Sequence, residues 1–97
     1  MAERGRIVAV RVRIRGRVQG VAFRAWTMEE ATARGLRGWV RNRRDGSVEA
    51  VFAGEAALVD DMVEACRHGP PAARVVSVDR EPAEDPGGAG FRLLETA

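Results

Sequence analysis

The fold of this chain is decided around nine residues, Gly16-Arg17-Val18-Gln19-Gly20-Val21-Ala22-Phe23-Arg24. Before them, valine and isoleucine alternate with arginine and alanine over residues 8–15. This period of two is typical of a strand with one buried face. After them, Phe23, Thr27 and Ala31 recur at every fourth position, as on the buried face of a helix. The nine residues are therefore predicted to turn the chain from a strand into a helix.

The predicted turn has the chemistry of an anion-binding site. Its glycines, Gly16 and Gly20, permit tight backbone shapes in which N–H groups converge. The helix that follows adds unpaired N–H donors and about half a positive charge. Arg24 falls in the first helical turn, where a positive charge is unfavourable unless an anion lies beside it. The alternatives for Arg24 are a side chain extended into solvent or an ion pair with Glu29 or Glu30.

Length and composition limit the class of protein. The 97 residues predict one small domain, 1–97. The chain has no apolar run long enough to span a membrane, and Met1–Gly5 is not followed by the hydrophobic segment of a signal peptide. The single cysteine, Cys66, excludes an internal disulfide, which favours a reducing compartment. We therefore expect a cytoplasmic monomer that has no membrane partner.

The net charge of +2 hides an uneven distribution of charge. Residues 1–44 contain twelve arginines and three acidic residues, a charge of +9, whereas residues 45–97 contain four arginines and eleven acidic residues, a charge of −7. A basic half is compatible with nucleic acid, a membrane surface or a small anionic substrate. Because folding mixes the two halves, the split alone identifies no partner.

The pattern of the whole chain predicts a ferredoxin-like α+β fold. The predicted strands are Arg6–Arg15, Leu36–Arg43, Ser47–Ala53, Ala73–Glu81 and Phe91–Glu95, the predicted helices are Ala22–Arg34 and Glu55–His68, and Pro82–Gly90 is a loop. The order β-α-β-β-α-β, with a short extra C-terminal strand, predicts an antiparallel sheet with two helices on one face. The alternating first strand supports this, since a parallel strand covered on both faces would be apolar throughout.

Two assignments of buried faces complete the fold prediction. In the second helix, the apolar stripe is expected to run through Leu58, Met62 and Cys66 or Ala65. In the fourth strand, a period of two places Val76 and Val78 on one face, with Val75 and Ser77 on the other.

The inventory of reactive side chains excludes most catalytic chemistry. His68 stands alone beside Gly69 at a predicted helix end, and Cys66 lies on the apolar stripe, where it is expected to pack in the core. With no second histidine and no cysteine pair, the spacing of metal ligands is absent, so no metal is expected. The turn also lacks the Gly-Lys-Ser/Thr of a Walker loop. A phosphate site with one arginine and neutral polar groups remains.

Asn42 is the best neutral polar candidate. It ends the segment Gly38-Trp39-Val40-Arg41-Asn42 and shares strand parity with Val40, so it is expected to point to the core side of the sheet. A polar group there needs hydrogen bonds. It could bond the hairpin backbone, as asparagine often does beside turns, or it could serve a functional site.

Four segments together resemble the acylphosphatase family: Gly16–Arg24, Gly35–Asn42, Asp45–Ala50 and Gly69–Ala72. The resemblance covers nearly the whole chain, in order and at the spacing of the family. It implies the fold predicted above and the hydrolysis of acyl phosphates to a carboxylate and inorganic phosphate, without metal or cofactor.

The resemblance also implies roles for individual residues. It makes Arg24 the phosphate-binding arginine and Asn42 the residue that orients the attacking water. The backbone amides that bind the substrate would come from the segment before the arginine. Its members are Gln19, Gly20, Val21, Ala22 and Phe23.

Two alternatives belong to other functional classes. A ferredoxin-like sheet can bind single-stranded RNA, and Arg11, Arg13 and Arg15 on the predicted exposed face suit that use. RNA binding also requires exposed aromatic side chains for stacking. Trp39 is the main aromatic residue that is not expected in the core, so no nucleic acid is expected. The second alternative is a regulatory domain that has lost catalysis, against which the presence of both Arg24 and Asn42 argues.

Overall fold

The computed structural model describes residues 5–97, so residues 1–4 of the predicted domain lie outside the described part. Its strands are β1 (Ile7–Arg17), β2 (Arg37–Asn42), β3 (Val48–Glu55), β4 (Arg74–Pro82) and β5 (Phe91–Leu93), and its helices are α1 (Phe23–Ala33) and α2 (Ala56–Cys66). This order confirms the predicted ferredoxin-like α+β class. Each predicted end lies within two residues of the observed one.

The five strands form one sheet in the order β4-β1-β3-β2-β5. β1 pairs antiparallel with β3 and β4, and β2 pairs antiparallel with β3. β5 instead runs parallel to β2, with Phe91 opposite Gly38. The chain reverses between β4 and β5, and β2 also runs opposite to β4, so β5 follows the direction of β2. The predicted antiparallel sheet is thus correct for four strands, while the fifth makes the sheet mixed.

Both helices pack on one face of the sheet, where apolar side chains fill the space between the layers. The sheet contributes Val10, Val12, Ile14, Val40, Val48, Ala50 and Phe52, and the helices contribute Phe23, Ala31, Val59, Met62, Val63 and Cys66. Phe91 of β5 stacks on Phe52, with the ring centroids 5.6 Å apart. The short terminal strand is therefore anchored by the core as well as by its pairing with β2.

The buried stripe of α2 differs from the predicted one at a single position. Met62 and Cys66 are buried as predicted, but Leu58 is 37% exposed and Val59 is buried in its place. Val59, Met62, Val63 and Cys66 are spaced by three, four and seven residues, the spacing of a helical stripe. The prediction for Leu58 was wrong because the buried stripe is centred on Val59, Met62, Val63 and Cys66, which leaves Leu58 at its edge.

β1 runs two residues beyond its predicted end, which shortens the predicted turn. Its register against β4 shifts between Arg15 and Gly16, a β-bulge. Gly16 has a φ of 130°, and a Cβ atom there would collide with the carbonyl oxygen of Arg74. Its glycine therefore serves the bulge, not the turn, and the connection to α1 is limited to residues 18–22.

The same bulge overturns the predicted faces of β4. Arg15 lies opposite Ser77 and Gly16 opposite Val75, so Val76 is the extra residue between them. Val76 is 81% exposed, whereas Val75 and Val78 both pack against the core. The period of two fails here because the bulge inserts one unpaired residue and reverses the faces that follow it.

Candidate active site

The connection between β1 and α1 leaves a row of backbone N–H groups without acceptors. Gly20 has a φ of 75°, and Ala22, which precedes the helix, also has a left-handed backbone at φ 65° and ψ 25°. The first helical hydrogen bond is donated by Trp26 to the carbonyl of Ala22, at 3.0 Å. Within residues 5–97, no backbone acceptor is paired with the N–H groups of residues 19–23. The loop therefore presents unpaired donors together with the positive end of a helix.

Ala22 marks local strain in this loop. A left-handed conformation costs a residue with a Cβ atom roughly 1–2 kcal/mol, a cost that glycine avoids. Strain of this kind concentrates at functional sites, where the surrounding structure maintains it. At Ala22 the conformation sets the direction of the loop amides immediately before the helix begins.

Arg24 extends from the first turn of α1 toward the C-terminal segment. Its Nη1 donates a hydrogen bond to the carbonyl oxygen of Leu94 at 3.2 Å. Leu94 is held in turn by its own N–H, which donates to Val40 of β2 at 2.8 Å. Among residues 5–97 no carboxylate pairs with Arg24, and Glu30 pairs instead with Arg34 at 2.8 Å. The guanidinium is thus fixed by a neutral partner, which leaves its charge uncompensated.

Asn42 is the last residue of β2, and its side chain borders the same space as Arg24. It lies two positions after the buried Val40, as strand parity predicts. The Asn42 side chain makes no hydrogen bond to any of residues 5–97. Two nearby carbonyls at the hairpin accept instead from Gln19, whose Nε2 is 2.7 Å from the Arg43 oxygen and 2.8 Å from the Ser47 oxygen. The amide of Asn42 is therefore available to an external partner.

These groups surround one cleft of about 220 Å³. Its lining residues are Val18, Gln19, Gly20, Ala22, Phe23, Arg24, Ala25, Asn42 and Leu93. Unpaired amides, a guanidinium and a primary amide on a single cleft have the chemistry to bind a tetrahedral anion and a water molecule.

Residues 10–93, most of this chain, match the acylphosphatase family model. The chain belongs to the acylphosphatase family. The predicted family and the predicted enzyme class, an acylphosphatase, are thereby confirmed.

Individual acylphosphatases align closely with this family member. The acylphosphatase of Bradyrhizobium diazoefficiens is 66% identical over 74 residues, which cover 76% of this chain and 75% of the relative. The acylphosphatase of Rhizorhabdus wittichii is 53% identical over 95 residues, which cover 98% of this chain and 96% of the relative. The solved structure of an acylphosphatase from Coxiella burnetii superposes with a TM-score of 0.88 at 32% identity, covering 97% of this chain and 100% of that one.

Most residues predicted for the acylphosphatase site line the cleft, with one exception. Val21 is not among the residues that line the cleft, and its partly buried side chain packs against the core. Sequence reasoning missed Leu93, which reaches the cleft because β5 pairs with β2, and Leu94, whose carbonyl holds Arg24. No local sequence signal identifies these two, since both depend on a pairing between distant segments. Val18 and Ala25 were missed as well, although they directly precede and follow the predicted segment.

The outer face of the sheet, opposite the helices, carries charges that are compensated within the chain. Glu49 is only 5% exposed and forms ion pairs with three arginines. The distances are 3.3 Å to Arg11, 2.9 Å to Arg41 and 3.3 Å to Arg43. The guanidinium of Arg41 also lies 4.8 Å from the ring centroid of Trp39. Arg13 lies 3.5 Å from Asp45 and Arg15 lies 3.0 Å from Asp79, so the basic residues and the aromatic residue considered for RNA binding already have partners within the chain.

The remaining reactive side chains lie away from the cleft. Cys66 is buried in the core, and burial raises the pKa of its thiol to about 12. His68 is exposed beyond the end of α2. In the part of the chain that the structure describes, no three His, Cys, Asp or Glu side chains come together as metal ligands. Likewise, none of the described helices is long and apolar enough to cross a membrane.

Proposed function

We propose that this chain hydrolyses acyl phosphates in the cleft between residues 18–22 and the end of β2. One observation carries the proposal: the unpaired amides of residues 19, 20, 22 and 23, the uncompensated charge of Arg24 and the free side-chain amide of Asn42 border the same space. An acyl phosphate offers matching chemistry, because its phosphoryl oxygens accept hydrogen bonds and carry negative charge.

The phosphoryl group is bound by the loop amides and Arg24. Phosphoryl transfer requires positioning and the stabilisation of charge on the equatorial oxygens, and little covalent chemistry from the protein. N–H groups aimed from a helix start supply that stabilisation without reorganising during the reaction. The carbonyl of Leu94 holds the guanidinium of Arg24 in place, so the arginine needs no carboxylate that would compete with the substrate.

Asn42 holds the attacking water in line with the bond that breaks. The water oxygen forms a bond to phosphorus, the bond from phosphorus to the acyl oxygen breaks, and the electron pair leaves on the carboxylate. A carboxylate is a weak base, so no general acid is needed. The water proton passes to a phosphoryl oxygen, and Asn42 stays neutral throughout.

We infer three further properties from the same residues. The reaction needs no metal or cofactor, since no step above uses one. The chain acts as a monomer with the single domain 1–97, since the mechanism proposed above requires no residue of a second chain. A reducing cytoplasm suits Cys66, which is buried and free.

We do not propose RNA binding for this chain. Arg11, Arg15 and Arg41 on the outer face pair with carboxylates, so phosphate contacts would have to replace existing ion pairs. Trp39, the aromatic side chain needed for base stacking, is covered by Arg41. No observation on the outer face favours RNA over these internal contacts.

The test is phosphate release from benzoyl phosphate by the unmodified chain and by Asn42→Ala. We expect release that EDTA leaves unchanged, and a kcat lowered on the order of 10²–10³-fold in the variant, the usual effect of removing one positioned polar group. Competitive inhibition by inorganic phosphate should stay nearly the same, because Asn42 holds water and not the phosphoryl group. An Asn42→Ala variant with full activity, or one that no longer binds phosphate, would contradict this role.

A further inference from the structure

The side chain of Gln19 joins the two halves of the cleft. Its Nε2 donates one hydrogen bond to the carbonyl of Arg43 at 2.7 Å and a second to the carbonyl of Ser47 at 2.8 Å. Both protons of the amide nitrogen are used, and both contacts are partly buried. The side chain thus leaves the loop that carries the phosphate-binding amides and ends at the neck of the β2–β3 hairpin.

The two acceptors stand at the point where the hairpin begins to turn. Arg43 donates its own N–H to the Ser47 carbonyl at 2.8 Å, and its carbonyl accepts from Gly46 at 3.1 Å. Arg43 directly follows Asn42 in the chain, so a hydrogen bond at its carbonyl restrains the backbone next to Asn42. The contact from Gln19 therefore fixes the end of β2 relative to the loop.

We propose that Gln19 is a positioning residue for hydrolysis, which sets the distance between the water held by Asn42 and the phosphoryl group. This inference rests on the function proposed above. Only a donor fits here, because two carbonyl oxygens converge on one atom. A glutamine supplies two protons from one uncharged nitrogen, whereas a carboxylate would repel both oxygens.

The expected effect is on kcat and not on phosphate binding. In the Gln19→Met variant, which keeps the length of the side chain but removes its donors, Asn42 is free to drift from the in-line position. Misplacement by about 1 Å costs on the order of 10²-fold in rate, so we expect kcat to fall by about 10- to 100-fold. The inhibition constant of inorganic phosphate should stay unchanged, since the loop amides and Arg24 remain.

A double-mutant cycle distinguishes positioning from a general loss of structure. In an Asn42→Ala background, Gln19→Met should lower kcat no further, because the residue that it positions is gone. Arg34→Gln is the matched control: Arg34 also links two elements, by bonding Glu30 and Asp61 at 2.8 Å each, but it lies away from the cleft. This control should lower the melting temperature and leave kcat unchanged.

The outcomes distinguish failure of the positioning role of Gln19 from failure of the proposed function. Losses that add in the double variant, an unchanged kcat in Gln19→Met, or weaker phosphate inhibition would overturn the positioning role of Gln19 while leaving the function of Asn42 intact. An Asn42→Ala variant with full activity would instead remove the proposed function, and this inference with it. If Gln19→Met does not fold, Gln19→Asn keeps the donor but shortens the side chain by one methylene, and the same criteria apply to it.

Discussion

Arginines on the two faces of the sheet are held by different partners. On the outer face, Arg11 lies 3.4 Å from Glu81, and Arg15 lies 3.0 Å from Asp79. At the cleft, on the helix side, Arg24 donates to a backbone carbonyl and meets no carboxylate among residues 5–97. The same residue type thus carries a compensated charge on one face and an uncompensated charge on the other.

The kind of partner that holds an arginine separates structural from functional arginines in a chain with sixteen of them. An arginine paired with a carboxylate has its charge satisfied, so a phosphate would have to displace the carboxylate. An arginine held by a neutral carbonyl keeps its orientation and also its attraction for an external anion. Unpaired loop amides beside Arg24 add to that attraction.

Replacing Arg24 with glutamine is the strongest test of this distinction between structural and functional arginines. We expect kcat/KM for benzoyl phosphate to fall on the order of 10²–10³-fold. Inhibition by inorganic phosphate should weaken by about ten- to a hundredfold, as loss of a charge-assisted hydrogen bond implies. Lysine should restore little, because a point charge does not reproduce the planar guanidinium.

The stability of the same Arg24 variant gives the control. Removing a positive charge from the start of α1 should leave the free protein equally stable or slightly more stable. Arg11→Gln on the outer face is the matched change, and it should lower the melting temperature while preserving kcat/KM. Retained activity in Arg24→Gln together with lost stability would show that Arg24 is structural.

The next largest effect is expected at Glu49, the buried carboxylate of the outer face. Glu49→Gln leaves Arg11, Arg41 and Arg43 close together without their shared counter-charge. Because these arginines are partly exposed to solvent, we expect the free energy of unfolding to fall by about 1–3 kcal/mol. Urea denaturation measures this, and phosphate release should continue at an unchanged kcat.

Glu81→Gln is the control for the Glu49 experiment. Glu81 also pairs with Arg11, but its side chain is 62% exposed, so its loss should cost less than about 1 kcal/mol. Equal losses in the two variants would mean that burial does not distinguish these carboxylates. A large drop in kcat for Glu49→Gln would show that the outer face contributes to catalysis. It would contradict the distinction between structural arginines on that face and the functional arginine at the cleft.

Sequence reasoning was strongest where a pattern is local. The alternation in β1 and the spacing of Phe23, Thr27 and Ala31 predicted the first two elements, and the strand parity of Asn42 predicted its side of the sheet. Prediction from the sequence failed where the role of a residue depends on contact with a distant segment. Gly16 looked like a turn residue because its clash partner, the Arg74 carbonyl, lies far along the chain.

In the candidate site too, contacts between distant segments could not be predicted from the sequence. The loop, Arg24 and Asn42 were predicted from their own segments together with a family resemblance. The use of the Gln19 side chain was not, since its acceptors are 24 and 28 residues away. Leu93 and Leu94 reach the site only because β5 adds to the sheet beside β2.

The smallest expected effect concerns acid and the ion pair between Arg37 and Asp85. Arg37 donates to both carboxylate oxygens of Asp85, at 2.6 and 2.7 Å, and these bonds lower the pKa of Asp85 to about 2. A carboxyl group with a lowered pKa in the folded state stabilises the fold above its ordinary pKa of 3.8, and it loses that contribution as the pH falls toward 2. Melting temperatures of the unmodified chain and of Asp85→Asn should therefore differ at pH 5 and converge near pH 2. Because the pair is exposed, the difference should be a few degrees at most.

Glu84→Gln removes the same charge from the neighbouring residue without breaking this pair, and it should follow the unmodified chain at every pH. The contact of Arg24 with the Leu94 carbonyl contains no carboxyl group, so acid that weakens the outer ion pairs should leave it in place. A gap between the unmodified chain and Asp85→Asn that persists at pH 2 would show that Asp85 stabilises the loop through something other than its charge.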